Sequence, residues 1–363
     1  MLEIKGEYGK DCKIFIDEVE TSAMSTIYSI LNHPVSDGKK VRIMPDVHDG
    51  VDIVIGFTMP LGEMVNPNHI GVDIGCGVLT AELPNLNYYS LQEIDEKIRK
   101  VIPMGFTHRQ ESKIIGSLPN GIEPTCKKLG LDYGGVLKQI GTLGGGNHYV
   151  EIGTSRDKYF LSIHSGSRNF GLQVCKYHAK QAQNHQKGYS YLSGDAIAEY
   201  ISDMKIAQEF ALLNRRTILH EITKSMGFGS GVVYNTFDTI HNYIDMQRMI
   251  IRKGAISAEL GEKVAIPMNM RDGVLICVGK GNEDWNFSAP HGAGRIMSRS
   301  AAKKAVNIED FKNTMSEVYS SSVNEATLDE SPFAYKDMNT ILDCIKDTVE
   351  VIDIVKPILN IKA

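Results

Sequence analysis

The 363-residue sequence has no apolar run near the roughly 18 residues that a transmembrane helix needs. A membrane-spanning chain is excluded on that ground, and no membrane partner is expected. The first residues, MLEIKGEYGK, lack the basic segment and apolar stretch of a signal peptide, so a cytoplasmic location is expected. Cysteine is sparse: six residues, at positions 12, 76, 126, 175, 277 and 344, without paired spacing. That favours core positions or lone ligands over a disulfide framework. Positive charge is not in excess either. Lys+Arg total 39 against 44 Asp+Glu, a net charge of -5, so a nucleic acid would have to meet a local basic patch such as Arg295/Arg299 with Lys303/Lys304. Internal repeats, low-complexity tracts and linker-like boundaries are absent, while 42% hydrophobic and 23% charged residues exclude a disordered or collagen-like chain.

What the sequence has in plenty is glycine, 34 residues gathered beside polar types rather than spread as linker. The clusters are MPDVHDG (44–50), GVDIGCG (71–77), GTLGGGNHYVE (141–151), HSGSRNFG (164–171), IRKGA (251–255) and APHGAGR (289–295). Glycine permits positive φ and close backbone approach at an entropic cost. Six such loops beside His, Asp, Cys and Arg read as one composite site.

Around them, KVRIMPDV, VDIVIGFTMPL and GVLTAEL read as strands, YFLSIH (159–164) as a strand delivering His164, and GVLICVG (273–279) as another. Ser90 and Glu93 form a capping-box pattern that opens a helix with Leu91, Ile94, Ile98 and Val101 on one face. A long helix is predicted from a Ser193 cap to about Met226, with Ile197, Tyr200, Met204, Ala207 and Ala211 in register. Residues 338–355 read as a second amphipathic helix. Because the motifs from 46 to 295 serve one site, the expectation is α+β: a single large domain over 1–363, with mixed and antiparallel sheets and peripheral helices.

Asp73 and Cys76, three residues apart on a tight turn, could face one cation, or could be a turn aspartate and a buried thiol. His148 follows Gly-Gly-Gly-Asn, an open loop whose backbone N–H groups suit phosphate, but no Gly-Lys-[Ser/Thr] makes it a P-loop. His164 sits near Arg168, a natural phosphate fork, and His241 precedes Asn242. Each histidine alone is more often structural than a ligand. Together, Asp73, Cys76, His148, His164 and His241 form a mixed O/S/N set for one or two divalent ions, and softness alone favours zinc or cobalt. Cys175-x-x-His178 with His185 resembles another metal fragment, but no second pair follows, which favours helix surface or core. His291, between Pro and Gly, could project its imidazole freely as a nucleophile toward a phosphoryl group, or could be a hydrogen-bonded turn residue.

GVDIGCG, GGGNHYVE, HSGSR, HN followed by RKGA, HGAGR-x-MSR and DESPFAYKD, in this order and on to the terminal LNIKA, resemble the RtcB family of RNA-splicing ligases. The resemblance implies the RtcB-like fold and a ligase that joins an RNA 3′-phosphate or 2′,3′-cyclic phosphate to a 5′-hydroxyl, using GTP and two Mn²⁺ ions. It implies that His291 attacks the α-phosphate of GTP and carries GMP, and that GMP then activates the RNA 3′-phosphate. The five ligands would be Asp73, Cys76, His148, His164 and His241, with the thiolate bridging the ions. Asn147, Glu151, Asn242 and the HGAGR residues Gly292, Ala293 and Gly294 would contact the nucleotide, and Arg168 the RNA phosphate. Tyr335 and Lys362 would stack on and hydrogen-bond guanine, and Asp46 and His48 would lie near the metals. An archease-type activator is a further possible partner. One departure stands out: many members carry a Gly-Ser-Met-Gly guanosine loop where this chain has Met268-Asn269-Met270-Arg271-Asp272, with Val274 in place of a later serine; Asn269 could still contact ribose or phosphate. The alternatives are a metal-dependent RNA phosphoesterase and a catalytically silent RNA-binding paralogue.

Overall fold

A computed structural model describes residues 1–50, 52–86, 88–184, 190–228 and 234–363. Two sheets dominate. The first has six strands, in the order Leu2–Ile4, Asp11–Ile14, Lys40–His48, Ile55–Pro60, Ile250–Lys253 and Asn242–Asp245. Its single parallel pair is Asp11–Ile14 with Lys40–His48. The second is antiparallel, with seven strands: Tyr234–Ile240, Gly77–Leu83, Lys158–Ser165, Tyr149–Ser155, Val349–Ile361, Val274–Gly279 and Lys263–Pro267. The α+β expectation with mixed and antiparallel sheets holds.

Strand parity divides the seven-stranded sheet into a packing face and a site face. Leu161, Ile163, Val150, Ile152, Leu359 and Ile361 alternate along three neighbouring strands and share one core cluster with Ile94 and Ile98. Ile94 and Ile98 come from the helix Leu91–Val101, which opens with the predicted capping box: the Ser90 hydroxyl accepts from Glu93 N–H, and the Glu93 carboxylate accepts from Ser90 N–H. Such a cap stabilises by about 1 kcal/mol, whereas Ile98→Ala would cost about 2–5 kcal/mol because the buried side chain leaves a cavity. The opposite parity, Tyr149, Glu151, His164 and Asn360, falls on the other face, with Tyr149 opposite His164 and Asn360 opposite Glu151.

Two helices differ from expectation. The long helix is Asp195–Ser225, and Gly194 rather than Ser193 occupies its N-cap, without a side-chain hydrogen bond. Residues 338–355 are not one helix: Met338–Cys344 is helical and Val349–Ile361 is a strand between Val274–Gly279 and Tyr149–Ser155. Ile341, Ile345 and Val349 keep a four-residue spacing, but Val349-Glu-Val-Ile-Asp-Ile-Val is β-branched and alternating, and pairing on both edges decides it. Among the described residues no helix is long and apolar enough to cross a membrane.

Candidate metal and nucleotide site

Three of the proposed ligands gather because they flank neighbouring strands at one end of the seven-stranded sheet. Cys76 immediately precedes the strand Gly77–Leu83, His148 precedes Tyr149–Ser155, and His164 is next to last in Lys158–Ser165. Gly77 is paired with Ser165 on one side and with Ile240 on the other, so His241 arrives at the same end, between a strand of each sheet. Residues 76, 148, 164 and 241, far apart in sequence, thus converge.

Cys76 Sγ lies 3.4 Å from His148 Nε2 and 3.3 Å from His164 Nε2. The Nδ1–H groups of the two rings are committed to carbonyls: His148 to Leu143 at 2.9 Å, His164 to Asn147 at 3.1 Å. A carbonyl can only accept, so both Nε2 atoms turn lone pairs inward. Asp73 Oδ2 stands 2.9 Å from His148 Nε2, while Asp73 Oδ1 accepts from Ser167 N–H at 3.0 Å. Lone pairs of nitrogen, carboxylate and sulfur at these distances repel unless a proton or a cation sits among them, so the donor set fits a divalent metal. The ring centroid of His241 is 5.2 Å from that of His164 and 4.7 Å from that of His291.

The titratable groups respond to burial and to one another. Burial pushes the Cys76 thiol well above its ordinary range, and the Asp73 charge adds to this. Burial and neighbouring imidazoles hold His164 and His241 far below theirs, as free bases. For Asp73, burial is outweighed by the hydrogen bond and positive charge that a proton on His148 Nε2 supplies, in the place a cation would take, so the carboxyl lies well below the usual range. A side chain at Gly166 would overlap the Asp73 carboxylate, so that glycine makes room for the ligand.

His291 is oriented by Asp46. Its Nδ1–H donates to Asp46 Oδ2 at 2.6 Å and its backbone N–H to the same oxygen at 3.1 Å, leaving Nε2 free. The structure thus couples Asp46 to His291 rather than to the proposed ligands. Gly294, at φ +74°, runs so close to the Asp46 carbonyl that a Cβ would overlap it. Arg168 starts its helix at φ +57°, a strained conformation for a non-glycine residue, and lies flat beneath Gly144 with Nη1 3.4 Å from His148 Nδ1.

A cavity of about 550 Å³ opens beside this group. Asn147, Glu151, Asn242, Asn269, Gly292, Ala293, Gly294, Tyr335 and Lys362 all line it, as do Asp73, His164 and His291. Asn242 is also structural: its amide donates to the Asp73 carbonyl and its oxygen accepts from Gly254 N–H. The Asn269 side chain folds into its own turn, accepting from Arg271 and Asp272 N–H and donating to the Asp272 carboxylate. Cys175 and His178 do not converge: the thiol faces the Pro67 carbonyl, while His178 Nε2 meets Asp203 Oδ2 at 2.7 Å. His185 lies outside the described residues.

Three positions escaped sequence reasoning. Glu330 gathers the Tyr335 hydroxyl at 2.9 Å, Lys362 Nζ at 2.6 Å and Arg299, so the expected basic patch is partly neutralised; Asp329 also pairs with Arg299 and Lys303. Asn214 and Arg215, fully buried on the long helix, clamp three site loops. Asn214 bonds Gly141, Thr142 and Gly166, and Arg215 donates to the carbonyls of Gly75 and Ser165. The one sequence signal for them is a polar pair interrupting the apolar face between Ala211 and Ile218.

The sequence model of the tRNA-splicing ligase RtcB family matches residues 30–128 and 132–363. The chain belongs to this family. The RNA-splicing ligase RtcB of Escherichia coli (strain K12) is 31% identical, over 89% of this chain and 90% of that protein. The tRNA-splicing ligase RtcB of Aeropyrum pernix is 27% identical over 82% of each chain. The RNA-splicing ligase RtcB of Mycobacterium bovis is 24% identical over 83% of this chain and 91% of its own. Family membership makes the chain an RNA ligase of the RtcB type, and Cys76, His148 and His164 form a buried group able to hold a metal.

Proposed function

We propose that the chain, acting as one unit over 1–363 in the cytoplasm, joins RNA 3′-phosphate or 2′,3′-cyclic phosphate ends to 5′-hydroxyl ends through a GMP–His291 intermediate, with GTP and Mn²⁺. The observation that carries this reading is the free Nε2 of His291, held by the Asp46 carboxylate beside the proposed ligands. Asp73, Cys76, His148, His164 and His241 would hold two Mn²⁺ ions. When bound, the ions supply charge neutralisation for the triphosphate and for the phosphate being transferred.

The protein's own groups do the rest. Asp46 fixes the tautomer of His291, so Nε2 attacks the α-phosphorus of GTP as the bond to pyrophosphate breaks. Arg168 offers a guanidinium to the RNA 3′-phosphate, whose oxygen then takes GMP from His291. The 5′-hydroxyl oxygen attacks that phosphorus and GMP leaves. A cyclic phosphate is first opened by water.

The cavity wall supports a guanine. Glu151 Oε1, Tyr149 Oη and Asn360 Oδ1 are buried without partners, and Lys362 is beside them. A guanine edge, with N1–H and N2–H donors and an O6 acceptor, would satisfy such a wall. Met268 and Met270, in the divergent loop, line the same cavity.

Incubation with GTP labelled at the α-phosphate and Mn²⁺ tests the reading. An acid-labile protein adduct is expected, absent in His291→Ala, together with joined RNA. RNA phosphate hydrolysis without an adduct would turn the reading to the phosphoesterase, and failure to bind stoichiometric metal would turn it to the silent RNA-binding paralogue.

A further inference from the structure

Phe106 stands fully in solvent, at 105% relative exposure, above every other large apolar side chain among the described residues. A ring so placed contributes no buried area to folding. Its backbone is nevertheless fixed. Gly105 N–H donates to the Gly144 carbonyl at 2.9 Å, Leu143 N–H to Pro103 at 2.9 Å, and Thr107 N–H to Met104 at 3.2 Å. The loop that carries Phe106 is therefore strapped to segment 143–146, which leads directly into Asn147 and His148. The same segment touches two cations: Gly144 covers the Arg168 guanidinium, and a Cβ on Gly146 would lie 3.6 Å from Arg299 Nη2. The end of the chain arrives there too, since a Cβ on Gly105 would be 4.0 Å from that of Ala363.

A free aromatic ring on a loop strapped to the segment that leads into Asn147 and His148 matches one chemistry: an unpaired base stacked on the ring, with the chain's end phosphate directed toward that site. A protein partner would call for a contiguous apolar patch of several hundred Å². Phe106 is instead followed by Thr107 and His108, with Gln110 and Glu111 beyond, all exposed. We infer that Phe106 is the stacking platform for an unpaired base next to the phosphate-bearing end of the RNA, a contact that rests on the ligase reading above. Stacking reads no base edge, so little sequence preference is expected, and single-stranded ends are favoured over ends inside a duplex.

The test uses the full chain with Mn²⁺ and no GTP, and a short single-stranded RNA bearing a 3′-phosphate and 2-aminopurine near that end. Wild type should quench the fluorophore. Phe106→Ala should abolish the quench and raise the Kd for RNA by about 5- to 150-fold, the range expected for losing one base–aromatic stack. Phe106→Tyr should restore both, and Leu260→Ala, at a site 83% exposed elsewhere, should change neither. With GTP, the rate of GMP transfer to Phe106→Ala should equal that of wild type. Unchanged RNA affinity and quench in Phe106→Ala would overturn the inference, as would loss of GMP transfer in that variant, which would make the loop a support of the site. If wild type itself formed no adduct, the ligase reading would fall while the quench comparison still decided the role of Phe106.

Discussion

Two sets of buried histidines differ in what their nitrogens face. His148 and His164 give Nδ1–H to backbone carbonyls and aim Nε2 at one thiol, next to a carboxylate and a cavity. His178 is just as buried and also meets a carboxylate, Asp203, but that carboxylate is paired again with Lys128 and the thiol of Cys175 points elsewhere. His69 is enclosed between Phe57 and Tyr191, and burial pushes its pKa down to about 3. Burial and an acidic neighbour are therefore common to ligand and scaffold. What separates them is convergence of lone pairs, together with a glycine such as Gly166 that clears the approach.

The largest expected effect tests that separation head on. Cys76→Ser should lose stoichiometric Mn²⁺ and bring GMP-adduct formation below detection, while thermal unfolding shifts by only a few degrees. His178→Leu should do the reverse: a stability loss of about 1–3 kcal/mol, from leaving Asp203 without one of its partners, with adduct formation intact at 25 °C. Equilibrium dialysis and the labelling assay read the first, and calorimetry the second. An active Cys76→Ser, or an inactive but folded His178→Leu, would dissolve the distinction.

Next in size is Gly166→Ala. The added methyl would overlap the Asp73 carboxylate and swing it away from His148, so metal affinity should fall about 10- to 100-fold with the fold retained. Gly134→Ala, whose new methyl would meet only Asp132 at 3.6 Å, is the control and should bind metal as wild type does. Equal metal affinities in the two variants would show that Asp73 is not a ligand.

The same contrast explains what could be read from the sequence. Strands such as Lys158–Ser165 and the capped helix Leu91–Val101 are legible because alternation and a capping box act over a few residues. The ligand set is legible as a list, since His, Cys and Asp beside glycine clusters carry their own chemical label. Convergence is not, because it depends on register: only the pairing of Gly77 with both Ser165 and Ile240 brings residues 76, 164 and 241 to one end of the sheet. The start of the strand Val349–Ile361 reads as helix only when the four-residue spacing of Ile341, Ile345 and Val349 is carried into it; its β-branched alternation points the other way, and the pairing that decides comes from residues 149–155 and 274–279, beyond any local window. Glu330 stays hidden for the opposite reason to Cys76. A glutamate in a loop looks solvated until Lys362 and Tyr335 close over it.

The smallest effect concerns two buried carboxylates and separates them by sign. Asp203 is placed by His178 and Lys128, which overcome the cost of burial and hold it below its ordinary 3.8. Its ion pairing is thus fully present above that value and is lost as pH falls, so Asp203→Asn should destabilise at pH 7 and much less at pH 3. Glu151 runs the other way: burial, only partly opposed by Asn360 and Lys362, raises it from 4.5 to about 8. Between those values the folded chain keeps a proton that the unfolded chain has released, so stability drains as pH rises toward about 8 and levels off above it. Glu151→Gln, permanently neutral, should match wild type at pH 5 and be more stable at pH 9. The gain is on the order of a few kcal/mol, since each tenfold change in proton affinity corresponds to about 1.36 kcal/mol, or a few degrees in Tm for a chain of this size. At pH 9, where Glu151 is ionised, the variant should also bind GTP more weakly, because an amide offers guanine one acceptor where the carboxylate offers two. That pairing of higher stability with weaker binding marks a group held for its ligand rather than for the fold. A Tm difference independent of pH, or unchanged GTP affinity, would place Glu151 with Asp203 among the scaffold.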